Sequence, residues 1–185
     1  MSDADLILRF RAGQHQAFNA LVWRWQGRLY RFALRYSGDS EEARDLCQQS
    51  FIRAYGQLHR LRDPERFSTW LYQIAANLCR DHLRQRVQHV SLDAYEEASD
   101  RPHPALCRAA DMDKVELRGL LNRALQTLPE EQRVVVVLKE YEGLKFREIA
   151  EVLDAPINTV KSRLYYGLKA LRKTFNQWDI DEDGL

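Results

Sequence analysis

Apolar residues recur at steps of three and four along nearly the whole chain, and no stretch alternates apolar with polar residues for the length of a strand. That periodicity is the strongest constraint on the fold, because a 3.6-residue repeat buries one stripe of a helix and cannot sit as a sheet. Phe18, Leu21, Val22, Trp25, Leu29, Phe32, Ala33 and Tyr36 form one such stripe and predict a helix over residues 14–36. Gly38 breaks it. Asp39 or Ser40 can then cap a new helix, whose first turn carries Glu41 and Glu42 at the positive end of the helix dipole. This helix buries Ala43, Leu46, Phe51, Ala54 and Leu58. After a loop around Pro64, a further helix is predicted over residues 68–86, with Leu71, Ile74, Ala75, Leu78 and Leu83 inward.

The periodicity fades over residues 87–111, where Pro102 and Pro104 stand among Asp93, Glu96, Glu97 and Asp100. Such a stretch reads as a linker. A second helical block follows over residues 113–127, 129–141, 146–153 and 158–178. Pro129 suits a first helical turn and Gly143 a stop. The chain is thus expected to be all-α, with two small helical domains joined by a flexible linker. The boundaries are 1–88, 89–111 for the linker, 112–178, and an acidic tail over 179–185.

Composition narrows the function classes. The net charge is only +1, so affinity for a polyanion must come from local asymmetry. The N-terminus has no basic leader ahead of an apolar core, and the longest aliphatic run, Val134 to Leu138, is far short of a membrane span, so no membrane insertion is expected. Cys47, Cys79 and Cys107 are widely spaced, and no CxxC or HxxxH occurs. His15, His59, His82, His89 and His103 show no ligand spacing either. No metal, cofactor or catalytic residue is expected, and the thiols read as reduced in a cytoplasmic protein.

Three constellations carry the functional reading. In the C-terminal block, Phe146, Ile149, Ala150 and Leu153 face inward on a short helix. The turn "DAPIN" follows, and Val160, Leu164, Leu168 and Leu171 are expected inward on the next helix. This is helix-turn-helix grammar. Asn158, Thr159, Lys161, Ser162, Arg163, Tyr165, Tyr166 and Lys169 then lie on or near the outward side, and no acid occurs between Asn158 and Lys173. A helix N-terminus and free cations favour phosphate, and Arg can pair with guanine. In the N-terminal block, Trp70, Gln73 and Asn77 share a helix face near Arg66, Arg80 and Arg84. Aromatic rings interleaved with cations and amides suit unstacked bases. The third constellation is "ARDLCQQSF", where Asp45, Gln48 and Gln49 point away from the Leu46/Phe51 stripe.

Taken in order, "AFNALVWRWQGRLYRFALRYSGDSEEARDLCQQSFIRAYGQL", "FSTWLYQIAANLCRDHLR" and "LPEEQRVVVVLKEYEGLKFREIAEVLDAPINTVKSRLYYGLKALRK" resemble the bacterial RNA polymerase sigma factors. The likeness is to the sigma-70 family, extracytoplasmic-function subfamily, which keeps only regions 2 and 4. The resemblance implies a non-enzymatic factor that binds core polymerase and directs promoter-specific transcription initiation. It implies that Asp45, Gln48 and Gln49 meet the beta-prime clamp helices and that the second domain meets the beta flap. Arg66, Trp70, Gln73, Asn77, Arg80 and Arg84 would melt and read the minus-ten element, and the residues from Asn158 to Lys169 would read the minus-thirty-five element. An anti-sigma factor, which could be membrane-anchored, is the expected regulator. The chain departs from the family pattern at Gln49, often Glu, at Asn158, often Gly, and at Tyr166 and Leu168, where relatives often carry arginine. A conventional helix-turn-helix regulator would leave the Trp70/Asn77 face without a role.

Overall fold

The computed structural model describes residues 1–93 and 114–178, with side chains described for 1–85 and 116–178. Helix α1 spans Asp3–Arg11, α2 Ala17–Ser37, α3 Ser40–Gln57 and α4 Phe67–Asp93, with short 3-10 turns at Leu58–Arg60 and Pro64–Arg66. Helix α5 spans Lys114–Gln126, α6 Glu130–Val136, α7 Phe146–Leu153 and α8 Ile157–Gln177. Helix α6 runs on as a π-helical turn over Val137–Tyr141, closed by the Glu142 amide donating to the Val137 carbonyl at 3.2 Å. No described helix is long and apolar enough to cross a membrane.

Local chemistry sets most boundaries. Asp39 caps α3 by accepting from the Glu41 and Glu42 amides at 2.8 and 2.9 Å. Gly38 ends α2 at φ +81°, a left-handed position that favours glycine. Asp154 takes the same region at φ 48° to end α7. Pro129 and Pro156 sit as N-caps of helices that begin at Glu130 and Ile157, where the sequence pattern expects starts at 129 and 158, so Pro129 precedes the first helical turn instead of lying in it. Helix α2 begins at Ala17, three residues later than the expected start at 14.

Three expectations change. Helix α1 was not anticipated. Its signal is a capping box at the extreme N-terminus, in which Ser2 Oγ accepts from the Asp5 amide and Asp5 accepts from the Ser2 amide. These hydrogen bonds hold the Asp5 carboxyl below its usual range. Leu6, Ile7 and Phe10 bury the helix against the rest of the N-terminal half, and Asp3 takes the Trp25 indole at 2.9 Å. Helix α4 continues to Asp93, past the expected end at 86 and the boundary at 88, because no proline or glycine interrupts residues 67–93. The rest of the linker and the acidic tail lie outside the described residues.

The third change concerns Leu168, expected inward but 43% exposed. Gly167 is buried in its place, and a Cβ there would come within 2.9 Å of Val136 Cγ2. The close approach of α8 to α6 therefore runs through the glycine. Leu168, 100° further round the helix, is turned toward solvent.

The two helical halves share one contiguous apolar core, joining Leu29, Phe32 and Leu71 to Val134, Val137 and Ile149. Val134 to Leu138 are all buried. A helix with five successive buried residues must be covered on more than one side. Helix α8 covers α6 from the C-terminal half, and α2 of the N-terminal half packs against α6 and its π-helical turn. Polar contacts follow the seam. The Tyr36 hydroxyl donates to Glu130 at 2.5 Å, Arg133 donates to the Tyr36 carbonyl at 2.6 Å, and Gln126 donates to the Arg35 carbonyl at 2.9 Å.

Candidate nucleic-acid and polymerase interfaces

The expected site residues fall on three surfaces. The first lies between α2 and α3. Phe18, Val22, Tyr30, Phe51, Ile52 and Tyr55 line an open apolar groove, with Gln48 and Arg44 on its rim. Of the groove residues, Ile52 is 63% exposed and Tyr55 45% exposed. Large apolar side chains left in water on one face mark a protein-docking surface. Asp45 and Gln48 are exposed on α3. Gln49 lies on the other flank, in a polar depression with Arg53, Asp81, His82 and Arg84. The sequence reading named the polar residues of this surface and missed its apolar floor, because Val22 and Phe51 read equally well as core. Cys47 lines the groove with its thiol pushed up to about 11 by burial, and burial also raises the Cys79 thiol, so neither is poised as a nucleophile.

The second surface is the face of α4. Trp70 is half-buried against Phe67, with ring centroids 6.0 Å apart. Asn77 and Arg84 are exposed and Arg80 is half-buried. The N-terminal end of this face is occupied. Arg66 is ion-paired with Glu151 of α7, and Gln73 Nε2 donates to the Glu151 carbonyl at 3.4 Å. The expected minus-ten face is therefore divided, one end under α7 and the other in solvent.

The third surface is α8. Asn158, Lys161, Ser162, Tyr165, Tyr166 and Lys169 are exposed, with Tyr165 at 63% and Tyr166 at 57%; Thr159 is half-buried. Ser162 Oγ donates back to the Thr159 carbonyl at 2.9 Å, within its own helix. Lys161 Nζ stands 5.9 Å from the Phe146 ring centroid. Arg163 departs from the outward set. It shares a stripe with buried Gly167, and its guanidinium meets Glu131 of α6 at 2.5 Å. Arg163 thus braces α8 on α6, and the outward cations are Lys161, Lys169, Arg172 and Lys173. The described residues contain no cluster of His, Cys, Asp and Glu able to hold a metal.

Comparison with known proteins identifies the family of the two halves. Residues 21–88 match the model for Sigma-70 region 2, and residues 118–171 match the model for Sigma-70 region 4. The chain is 34% identical over 180 residues to the ECF RNA polymerase sigma-E factor of Escherichia coli, covering 92% of this chain and 93% of that one. It is 33% identical to the RNA polymerase sigma-H factor of Pseudomonas aeruginosa, covering 92% of each. Among solved structures, CnrH in complex with the cytosolic domain of CnrY superposes with a TM-score of 0.70 at 24% identity, covering 95% of this chain and 97% of that one. The sigma factor RpoE in complex with the anti-sigma factor NepR from Bartonella quintana gives 0.72 at 23% identity, covering 87% and 98%. With two region models matched in order and full-length relatives a third identical, the chain belongs to the sigma-70 family of RNA polymerase sigma factors, in its extracytoplasmic-function subfamily.

Proposed function

We propose that residues 1–88 serve as region 2 and residues 112–178 as region 4 of this sigma factor, with the three surfaces dividing the work. The α2/α3 groove, rimmed by Arg44 and Gln48, takes the beta-prime clamp helices of core polymerase together with Asp45, exposed on the same helix. Its apolar floor supplies burial, and the polar rim sets orientation. Gln49 adds to this surface from the neighbouring depression. The α4 face captures the melted minus-ten strand: Trp70 offers a ring to an unstacked base, Gln73 and Asn77 offer amides to base edges, and Arg66, Arg80 and Arg84 meet phosphates. Helix α8 enters the major groove of the minus-thirty-five element. Lys161 and Lys169 neutralise phosphates; Asn158, Thr159, Ser162, Tyr165 and Tyr166 face the bases and the adjoining backbone. Arg163 holds α8 in place from behind. Region 4 also meets the beta flap. The factor works in the cytoplasm with its polymerase, and an anti-sigma factor, of the kind captured with RpoE of Bartonella quintana, restrains it.

The observation that carries this reading is the acid-free outward face of α8, on which the bulky residues are tyrosines in water and the inward stripe is closed by Gly167 and Arg163. Reconstitution with core polymerase tests it. Asp45→Arg places a like charge where an anion now meets the clamp and weakens core binding by about 1 kcal/mol or more. Unchanged pull-down of core by this variant would remove the α3 assignment.

A further inference from the structure

We propose that the outward face of α2 is a further single-strand site, on which Trp23 stacks an unpaired base and Arg31 meets a phosphate of the same strand. The face is separate from those of α4 and α8, and the inference stands whether or not α4 reads the minus-ten element.

Trp23 is 78% exposed and makes no hydrogen bond or ring contact among the described residues. Its neighbours one turn away on α2 are Asn19, Gln26 and Gly27, all exposed, and half-buried Ala20. The indole is thus surrounded by amides and small residues, not by other apolar side chains. A protein-binding anchor sits in a well-packed surround that excludes water. A base needs only the face of a ring, with amides near its edge. The spacing repeats that of α4, where Trp70 is likewise followed three residues later by an amide, Gln73.

Gly27 gives the strand a floor. A Cβ there would meet Arg31 Nη1 at 3.5 Å and nothing else within 4 Å. Packing therefore does not demand a glycine here, as it does at Gly167, although glycine inside a helix is destabilising relative to alanine. The bare backbone leaves room for a flat ring beside the indole. The same contact shows that Arg31 folds back over Gly27, which places its guanidinium one turn from Trp23. Gln26 and Gly27 also line the α2/α3 groove, so a strand on this ledge runs along the groove's edge, with Trp23 and Arg31 outside it.

Charge selects an anion. No Asp or Glu occurs between Asp5 and Asp39. Most arginines of α2 are committed. Arg24 is ion-paired with Asp3 and donates to the Met1 carbonyl, and Arg28 and Arg35 flank the buried Glu142 carboxylate at 3.7 and 3.8 Å. Arg31 is exposed and makes no ion pair among the described residues. Its planar fork suits a phosphate. An acidic peptide would satisfy the guanidinium and leave the indole in water, whereas a nucleic-acid strand covers both.

Binding of the full chain to a single-stranded oligodeoxynucleotide of about 12 residues, read by fluorescence anisotropy, tests the site. Trp23→Ala should lower affinity about tenfold, the size of one lost base stack, in the wild type and in an Asn77→Ala background alike. Trp23→Phe, which keeps a ring, should recover most of the loss. Arg31→Gln should lower the salt slope by about 0.7 units, the share of one phosphate on a single strand. Duplex binding through α8 and pull-down of core polymerase should not change in any of these variants. Unchanged strand affinity in both Trp23→Ala and Arg31→Gln would overturn the site. A Trp23→Ala variant that loses core polymerase and keeps the strand would overturn it in favour of a protein-docking face. Equal losses on strand and duplex would also overturn it, because stacking on Trp23 requires an unpaired base. A loss that vanishes in the Asn77→Ala background would show that Trp23 acts through α4 and that no separate site exists.

Discussion

Helices α4 and α8 carry the two expected DNA faces, and the fold treats them differently. The face of α8 is open along its length: Tyr165, Tyr166 and Lys169 stand in water, and Arg163 is held behind by Glu131. The face of α4 is split, with Arg66 and Gln73 under Glu151 and Asn77 free. The difference follows from what each helix packs on. Helix α8 spends its inward stripe within its own half, on α6 and α7, whereas α4 lies at the seam and is covered by α7 from the other half. A duplex-reading surface can stay exposed because cations and tyrosine hydroxyls are at ease in water. A surface built to stack on bases carries an aromatic ring that gains from cover until its ligand arrives.

The comparison breaks most severely at Gly167. Gly167→Leu drives a side chain into Val136 and should cost about 3 kcal/mol, with loss of duplex binding through α8. Urea unfolding and binding to a minus-thirty-five duplex measure both, and full duplex affinity in this variant would show that α8 does not need its seat on α6. Next comes Asn77→Ala, expected to weaken capture of the melted strand by about 2 kcal/mol while sparing the upstream duplex. Equal transcription by variant and wild type on native and premelted templates alike would argue against a base pocket at Asn77.

Alkaline pH probes the seam between the two faces. Burial raises the hydroxyl pKa of both Tyr36 and Tyr72 above the ordinary 10.0. The folded state therefore keeps protons that the unfolded state loses above that value. Their contribution is intact below pH 10 and shrinks as pH rises, by up to about 1.4 kcal/mol per hydroxyl at pH 11. Thermal unfolding from pH 8 to 11 should show the fall, and Tyr72→Phe should flatten it; a slope unchanged in that variant would place the titration elsewhere.

Smaller effects sharpen the α8 side. Lys161→Ala should weaken all promoters about equally, by about 1 kcal/mol, and lower the salt slope by roughly one unit. A sequence-selective loss would mean that Lys161 faces bases. Arg163→Ala removes a half-exposed ion pair and should cost only about 0.5 kcal/mol of stability, with promoter preference retained. Altered preference in a binding assay with a randomised upstream element would return Arg163 to the reading face.

Much of this was legible before the fold. The stripe from Phe18 to Tyr36, the cap at Asp39 and the turn at "DAPIN" all rest on interactions within a few residues, and each appears where the pattern puts it. The outward residues of α8 were legible for the same reason, with two exceptions. Leu168 and Arg163 obey helical geometry but not residue type: the side that meets α6 is chosen by how closely two backbones approach, which favours glycine over leucine. Helix α1 was readable from its capping box. The apolar groove beside Gln48 was not, because a sequence does not say which of two apolar stripes on a helix will be left without a partner.

The sequence by itself determined the helices, their caps, the helix-turn-helix and the order of the two regions, since all of these depend on local spacing and residue chemistry. Tertiary structure alone decided that the regions close on each other. The run of buried residues from Val134 to Leu138 says that α6 needs cover on more than one side, yet not that α2 supplies part of it. Nothing in the spacing of Arg28, Arg35, Tyr72 and Glu142 reveals that they converge, because the partners lie 70 residues or more from the carboxylate they hold. Contacts at such separation are fixed by the packing of whole helices, and no local pattern encodes them.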